Sequence, residues 1–388
     1  MKKIKEVLKW SLICLLTGLF GGIIGALFAH SVSFVTNLRS SNPWLLYFLP
    51  VAGLLTVLIY KTLKTTGLST NNVLKSLKEG EGVSALLLPA VFSGAVLTHL
   101  CGGSAGREGA ALQMGGGFAK FLSKIFKLDN EESKIAVICG MAAFFSALFG
   151  TPLGAGIFVL EVVFNKKLSF KAFIPSLVSS FTAFIVAQGL LVHPERFNMA
   201  LPSFSVTLLW KIVILMILSC GVCLIFVNAL HFAEHFMKRT FKNHYLKIAV
   251  GAIIIIALTF IVGTKDYNGG GLDIVEKVFS HSQVKNEAFL LKILFTAITV
   301  AAGFKGGEIV PTIFIGATFG GAVALILGLG APFGAALGVA VLFCGATNCP
   351  VATVLLCSEM FGFKGILYFA AASLIATYLT GKKRLYNV

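Results

Sequence analysis

Apolar residues gather along this chain in long runs, separated by short polar or glycine-rich stretches. Runs near ~20 residues are long enough to cross a bilayer as helices, whereas a membrane β-barrel would alternate apolar and polar residues along each strand. The pattern therefore predicts an all-α, polytopic membrane protein. The predicted segments are 10–35, 44–63, 84–101, 109–127, 133–149, 153–165, 171–188, 207–237, 245–263, 286–303, 309–328, 332–347, 351–361 and 365–380.

Several of these segments are too short for a straight crossing of ~30 Å of hydrocarbon, for example 153–165 and 351–361. Short apolar segments with Gly or Pro interruptions, in matching places of two halves, are typical of broken helices around a site at mid-membrane. The 41 glycines also suit close helix packing. We therefore expect broken, tilted helices that surround a binding site.

The second half of the chain repeats the first. The segment 144–164 resembles the segment 341–361, and each contains a proline nine residues before a glutamate. Upstream, Glu108 in a Gly-Arg-Glu sequence corresponds to Glu308 in a Gly-Gly-Glu sequence, 200 residues later (308 − 108). Several markers at a nearly constant offset indicate an internal duplication.

The parity of the segments indicates that the repeat is inverted. Seven segments precede the linker at 189–206, so the second half starts from the opposite membrane face. We predict two membrane repeats, 1–190 and 207–388, and no soluble regulatory domain.

Basic residues set the expected orientation. The net charge is +16 although only 12% of residues are charged, and this excess fits the positive-inside rule because the basic residues lie in short loops. A nucleic-acid partner would need a basic soluble face, which the pattern excludes. We expect both termini in the cytoplasm. Besides the N-terminal lysines, the basic residues assigned to the inside are 61, 64, 75, 78, 120, 124, 127, 166, 167, 238, 239, 242 and 382–384.

Four acidic residues stand apart from the rest. Twelve of the 16 Asp and Glu residues lie at termini, in loops or at segment ends, and the other four are Glu108, Glu161, Glu308 and Glu359. An ionisable residue within a membrane span is a functional-site hypothesis by default. We expect Glu161 and Glu359 to cap or hold helix ends, with a transport role as the alternative.

Glu108 opens a predicted helix at Gly109. A helix N-terminus carries partial positive charge and free N–H groups and therefore binds anions. A carboxylate there can occupy an anion site and can leave it when protonated. The alternative is a purely structural ion pair between Glu108 and Arg107.

These motifs together resemble the CLC chloride channel and transporter family, over nearly the whole chain. The resemblance implies that Glu108 is the external gate and proton carrier and that Tyr386 lines the central anion site. It also implies a homodimer with one pathway per subunit, no enzymatic activity and no cofactor. The matching sequences are Gly-Arg-Glu-Gly at 106–109, Gln113, the run 152–161, Gly-Gly-x-x-x-Pro at 306–311 and the segment ending at Tyr386.

Three departures from the family pattern indicate a branch. The usual Gly-Ser-Gly-Ile-Pro anion loop is replaced by residues 66–72, and Val162 stands where chloride–proton exchangers have an internal glutamate. Glu308 stands where chloride-type members have an apolar residue. With Ala-Thr-Asn-Cys-Pro at 346–350, these features resemble the fluoride-exporting branch, which exchanges fluoride for protons. A chloride channel or chloride/proton exchanger remains the alternative.

A fluoride site must replace tightly held water with strong hydrogen-bond donors. We expect Glu308 to act as a protonated donor or in the proton path, with a salt bridge to Lys305 as the alternative. The predicted partners are fluoride or chloride, protons and the lipid of a bacterial plasma membrane. The candidate anion-binding residues are Ser69, Thr70, Asn71, Gly106, Arg107, Gly109, Ile309, Val310, Asn348 and Tyr386.

Two further motifs resemble sites of other kinds. His231 and His235 frame an H-x-x-E-H sequence like that of some zinc proteases, and a membrane zinc protease is the remote alternative. They are expected at the cytoplasmic end of a long helix, where snorkelling at the interface explains them. Gly269-Gly270-Gly271 lacks the strand and lysine of a phosphate-binding loop, so we expect a loop before a short helix.

Overall fold

The structure, a computed structural model, describes residues 2–79, 83–164, 170–203, 205–281, 285–381 and 384–386. Sixteen α-helices and two short 3-10 turns make up its regular structure within these ranges. The lysines at 166–167 and 382–383, on which part of the expected orientation depends, lie outside the described residues. The helices are α1 (Lys2–Ser41), α2 (Leu49–Thr62), α3 (Thr70–Glu79), α4 (Leu87–Leu100), α5 (Glu108–Ile125), α6 (Asn130–Phe149), α7 (Pro152–Phe164), α8 (Phe170–Gly189), α9 (Val206–Thr240), α10 (His244–Val262), α11 (Leu272–His281), α12 (Ala288–Ala302), α13 (Ile309–Leu327), α14 (Ala331–Thr347), α15 (Pro350–Phe361) and α16 (Ile366–Thr380).

The long apolar runs are the membrane helices, as predicted. Among the described residues, eight candidate spans are long and apolar enough to cross a membrane, and five further apolar helices are shorter. The shorter ones include α7 and α15, which correspond to the short segments in the sequence. The molecule is thus an all-α, polytopic membrane protein built as an inverted repeat with broken helices.

Helix α3 lies where the sequence analysis expected a loop. Its sequence, TNNVLKSLKE, is largely polar, and only three apolar side chains make up its buried face, Val73, Leu74 and Leu77. That stripe follows helical spacing but is too sparse to stand out as an apolar run. Its counterpart α11 follows the glycine loop at 269–271, as expected.

The core of each half is a pair of helices that cross with their backbones in contact. Gly316 in α13 faces Gly338 in α14, and a Cβ built on Gly316 would lie 2.7 Å from the Gly338 carbonyl oxygen. In the first half, Gly115 of α5 meets Gly140 of α6 in the same way. Small residues allow this close approach, and both crossings fix helices whose N-termini form the site.

Each half also caps a helix of the other. The Glu161 carboxylate accepts hydrogen bonds from two backbone N–H groups in the first turn of α15, at 3.2 and 2.7 Å. The Glu359 carboxylate does the same for α7, at 3.0 and 2.8 Å. A carboxylate satisfies the free N–H groups of a helix start and complements its dipole. The predicted capping role of both glutamates is confirmed.

Candidate functional site

The two broken segments meet backbone to backbone. The Gly106 N–H donates to the Gly307 carbonyl at 2.7 Å, and the Gly307 N–H donates to the Gly106 carbonyl at 2.8 Å. A Cβ built on Gly109 would lie 2.7 Å from the Gly307 Cα, so glycine is required there. This bridge holds the N-termini of α5 and α13 side by side, which concentrates positive ends of two helix dipoles at one place.

Glu108 is the first residue of α5 and is fully buried. Its Oε2 accepts a hydrogen bond from the Arg107 backbone N–H at 3.0 Å, and its Oε1 lies 3.4 Å from the Arg107 Nε. Arg107 makes a shorter contact, 2.7 Å, to Glu195 in the linker. The ion pair considered from the sequence therefore exists, but Arg107 divides its charge between two carboxylates.

The Glu108 carboxylate faces the start of α13. A Cβ built on Gly106 would lie 2.8 Å from Glu108 Oε2 and 3.1 Å from the Val310 backbone nitrogen. Ile309 and Val310 are buried. Their N–H groups lie in the first turn of α13, where no carbonyl of the helix can accept a hydrogen bond from them. The carboxylate thus lies beside backbone donors suited to a small anion.

Glu308 occupies the N-cap position of α13, but its side chain makes no capping hydrogen bond to the helix. No ion pair to its carboxylate exists among the residues that the structure describes. Lys305 instead extends over the Tyr60 ring, with its Nζ 4.1 Å from the ring centroid. The alternative of a salt bridge between Lys305 and Glu308 was wrong, because the cation–π contact takes the lysine elsewhere.

The polar segment at 66–72 reaches the start of α5. The Thr70 hydroxyl lies 3.5 Å from the Gly109 carbonyl and accepts a hydrogen bond from Gln113 Nε2 at 3.1 Å. Thr70 and Asn71 belong to the first turn of α3 rather than to a loop. Ser69 donates to the Asn72 side chain at 2.6 Å, so its hydroxyl is engaged at the helix start.

Tyr386 ends the described chain beside the same region. Its ring is buried against Phe158, with 6.5 Å between centroids, and its hydroxyl is buried without a partner among the described residues. The preceding Leu385 accepts a hydrogen bond from Asn71 Nδ2 at 3.4 Å and donates to Ala346 at 2.8 Å. A buried donor without a partner requires an explanation.

The structure therefore brings together most of the predicted site residues. Asn348 ends α14 in the left-handed conformation, at φ 58°, and no side-chain hydrogen bond within the described ranges ties it or Ser69 to the glycine bridge. Gln113 was not predicted as a site residue. Its Nε2 lies 3.4 Å from the Gly109 carbonyl one turn away, so the i, i+4 spacing was the available signal.

In the described part of the chain, the fold brings no metal-binding group of side chains together at the H-x-x-E-H motif. His231 and His235 lie near the end of α9, where Glu234 pairs instead with Lys238 at 2.7 Å. The parts of the chain that the structure covers hold no group of three His, Cys, Asp or Glu suited to a metal.

Taken together, the fold and the buried charges define a polytopic membrane protein in which the starts of α5 and α13 meet beside the buried carboxylate of Glu108. The family model described as "Voltage gated chloride channel" matches residues 52–381. The chain belongs to this family. Its members are channels and transporters, so the chain is not an enzyme, and the zinc protease alternative was wrong.

Two relatives and one solved structure show which members of the family this chain resembles. A "Chloride/fluoride channel protein" of Pseudomonas syringae pv. tomato is 32% identical, covering 98% of this chain and 86% of the relative. An "H(+)/Cl(-) exchange transporter" of Vibrio cholerae is 26% identical, covering 89% of this chain and 80% of the relative. A crystal structure of a CLC-type fluoride/proton antiporter has a TM-score of 0.93 at 30% identity, covering 98% of this chain and 97% of that one.

Proposed function

We propose that this protein exports fluoride in exchange for protons. The observation that carries the proposal is Glu108, a fully buried carboxylate placed beside the backbone donors of α13 at the bridge between the halves. A carboxylate in such a position imitates a bound anion. The printed descriptions of the similar channel protein and of the similar crystal structure, both of which name fluoride, support the choice of ion.

Glu108 couples the two ions through its charge. When ionised, it occupies the anion route and blocks it. When protonated, it loses its attraction to the helix N-termini and leaves the route to the anion. Each departure thus requires a proton, and the inward proton gradient drives fluoride outward.

Fluoride selectivity comes from strong donors that replace water around the ion. The Tyr386 hydroxyl has no partner among the described residues, and the N–H groups of Ile309 and Val310 are free within their helix. Thr70 contacts the Gly109 carbonyl at the start of α5, and Asn71 donates to the carbonyl of Leu385, the residue before Tyr386. Arg107 and the backbone of Gly106 and Gly109 complete the surroundings.

Glu308 serves as a second proton-binding group. It corresponds to Glu108 in the repeat and has no ion pair in the described part of the chain. It therefore replaces the internal proton glutamate whose place is taken by Val162.

The protein works as a homodimer in a bacterial plasma membrane, with both termini in the cytoplasm. The distribution of basic residues in short loops supports this orientation. Each subunit contributes one pathway, built jointly by the repeats 1–190 and 207–388.

Anion efflux from liposomes containing the purified protein tests the proposal. Fluoride and chloride release are measured with ion-selective electrodes under identical gradients. We expect fluoride release to exceed chloride release by at least about tenfold, a preference equivalent to ~1.4 kcal/mol. A preference for chloride would overturn the proposal and favour the chloride alternative.

A further inference from the structure

A lysine that the proposed mechanism does not use lies fully buried in α12. The Lys292 Nζ donates to the Gly269 carbonyl at 2.7 Å and to the Tyr267 carbonyl at 3.3 Å. It also lies 5.0 Å from the centroid of the Phe314 ring. No salt bridge to Lys292 exists among the residues described. Since burying an ammonium is costly, its retention calls for a function.

Lys292 holds the loop at residues 267–271, called here the triglycine loop. The same loop is tied to the first half, because the Gly269 N–H donates to the Gly103 carbonyl at 3.1 Å. The Asn268 side chain likewise donates to the Gly102 carbonyl at 2.8 Å. The loop is therefore fastened to both halves of the molecule.

The middle glycine of this loop faces the site. A Cβ built on Gly270 would lie 3.4 Å from the Val310 side chain and 3.9 Å from the Ala105 carbonyl oxygen. Ala105 precedes the glycine bridge, and Val310 is in the first turn of α13. The triglycine loop thus covers the place where the two helix starts meet.

The internal repeat assigns the loop a counterpart. It precedes α11, as the segment at 66–72 leads into α3, and the two helices begin 202 residues apart (272 − 70). The first-half segment presents the Thr70 hydroxyl toward α5 and the Asn71 amide toward the Leu385 carbonyl. The triglycine loop has no such side chains at its three glycines, so its polar character comes from its backbone and from the cations that touch it.

A second cation packs on the same loop. A Cβ built on Gly269 would lie 2.8 Å from Arg39 Nη2, and Arg39 Nη1 donates to the His99 carbonyl at 2.5 Å. Two cationic side chains therefore flank the loop, one from α1 and one from α12, and Asp273, which follows the loop in the first turn of α11, offsets part of their charge. An excess of fixed charge of one sign in a low-dielectric cleft raises the local concentration of the opposite ion.

We propose that the triglycine loop is a wall of the anion route and that Lys292 is the residue that positions it and draws a small inorganic anion toward the glycine bridge. The inference rests on the proposed function, because fluoride is the anion and flux is the readout.

The charge of Lys292 is tested by the fluoride dependence of flux in liposomes. We expect Lys292→Met to raise KM for fluoride about tenfold, as removal of one nearby charge at intermediate dielectric does, with a smaller change in maximal rate. Lys292→Arg keeps the charge and should recover most of the affinity. The matched control is Lys247→Met, a buried lysine that lies by Gly303 instead. Equal KM values for Lys292→Met and the control would overturn the proposal.

The position of the loop is tested by Gly270→Ala, which remains informative if Lys292→Met does not fold. The φ of Gly270 is not positive, and a methyl group added there would lie at ordinary contact distance from its neighbours. We expect normal folding and a severalfold lower fluoride flux, since the methyl group points at Val310. The control is Gly221→Ala, where no atom of the described residues, apart from the neighbouring backbone of its own helix, lies within 4 Å of the added carbon. A Gly270→Ala protein with wild-type flux would contradict the proposal that the triglycine loop is a wall of the anion route.

Failure of this inference differs from failure of the proposed function. A wild-type protein that moves no fluoride overturns the proposed function. A wild-type protein that moves fluoride, with Lys292→Met and Gly270→Ala matching it in KM and rate, overturns only the role of the triglycine loop.

Discussion

Glu108 and Glu308 hold corresponding places in the two halves but have different neighbours. Glu108 lies 3.4 Å from Arg107 and accepts the backbone N–H of that residue. Glu308 has no ion pair in the described ranges, because the nearest lysine in sequence, Lys305, contacts Tyr60. The two glutamates therefore have separate electrostatic surroundings, and their substitution should separate gating from proton supply.

Glu108→Gln should abolish proton coupling. The amide has the shape of the protonated acid but carries no exchangeable charge, so proton movement per fluoride should fall by at least about tenfold, or ~1.4 kcal/mol of coupling. Simultaneous recording of fluoride efflux and proton uptake in liposomes measures it. Glu195→Gln removes the other carboxylate on Arg107 and should retain coupling. Normal coupling in Glu108→Gln would defeat the mechanism.

Glu308→Gln should slow proton-coupled transport without unfolding the protein. Its carboxylate forms no ion pair in the described structure, so the loss of unfolding free energy should not exceed about 1 kcal/mol. Transport rates and thermal inactivation midpoints are measured on the same sample. A destabilised protein with normal transport would assign Glu308 a structural role instead.

The sequence allowed these two glutamates to be predicted because charge inside an apolar run is visible without a structure. The repeat offset paired them. The contacts of Gln113 with Thr70 and of Lys305 with Tyr60 could not be predicted, because each depends on a partner distant in sequence. Thr70 lies 43 residues from Gln113, and Tyr60 approaches Lys305 only after α2 packs near α4.

Among the helices, the starts of four differ in whether their first N–H groups have hydrogen-bond partners. Helices α5 and α13 leave their first N–H groups facing the site, whereas α7 and α15 have theirs satisfied by Glu359 and Glu161. Free starts attract an anion and capped starts do not. The capped pair thus ties the halves together while the free pair remains available to the transported ion.

Glu359→Ala should destabilise the protein. It removes two hydrogen bonds, at 3.0 and 2.8 Å, from the start of α7, and such charge-assisted bonds contribute about 1.5–3 kcal/mol each at most. We expect a clearly lower thermal inactivation midpoint in detergent. Glu234→Ala removes an exposed i, i+4 pair with Lys238 and should change little. Equal midpoints for the two variants would contradict the capping role.

Gly316→Ala should disturb the crossing of α13 and α14. The added carbon would lie 2.7 Å from the Gly338 carbonyl oxygen, and such overpacking costs about 1–3 kcal/mol. The inactivation midpoint should fall, and fluoride flux should fall with it because α13 carries half of the site. Gly221→Ala is the tolerated comparison. A Gly316→Ala protein with wild-type stability would show that the helices can separate at no cost.

Element prediction from the sequence succeeded where apolar runs were long and failed at α3. The buried stripe of α3 has only three apolar residues, so its period was masked by polar neighbours. Its counterpart α11 was anticipated from the glycines before it. A capping role of Glu161 and Glu359 was predicted from their places within apolar segments, but the exchange of caps between halves needed the structure.

For the whole molecule, the inverted repeat explains why one site arises from two halves. The starts of α5 and α13 meet at the Gly106–Gly307 bridge, and each half supplies one glutamate. Family membership follows from the match over residues 52–381. Exchange, rather than passive conduction, is the central claim that rests on this arrangement.

Uphill proton movement driven by fluoride tests that claim most directly. Liposomes with the wild-type protein are loaded with fluoride, the membrane potential is clamped with potassium and valinomycin, and the lumen is made slightly more acidic than the bath. Obligatory exchange predicts that fluoride efflux pulls protons inward against their gradient, so the lumen acidifies further, and that Glu108→Gln abolishes this acidification. Fluoride efflux with no proton uptake would contradict the account and make the protein a channel.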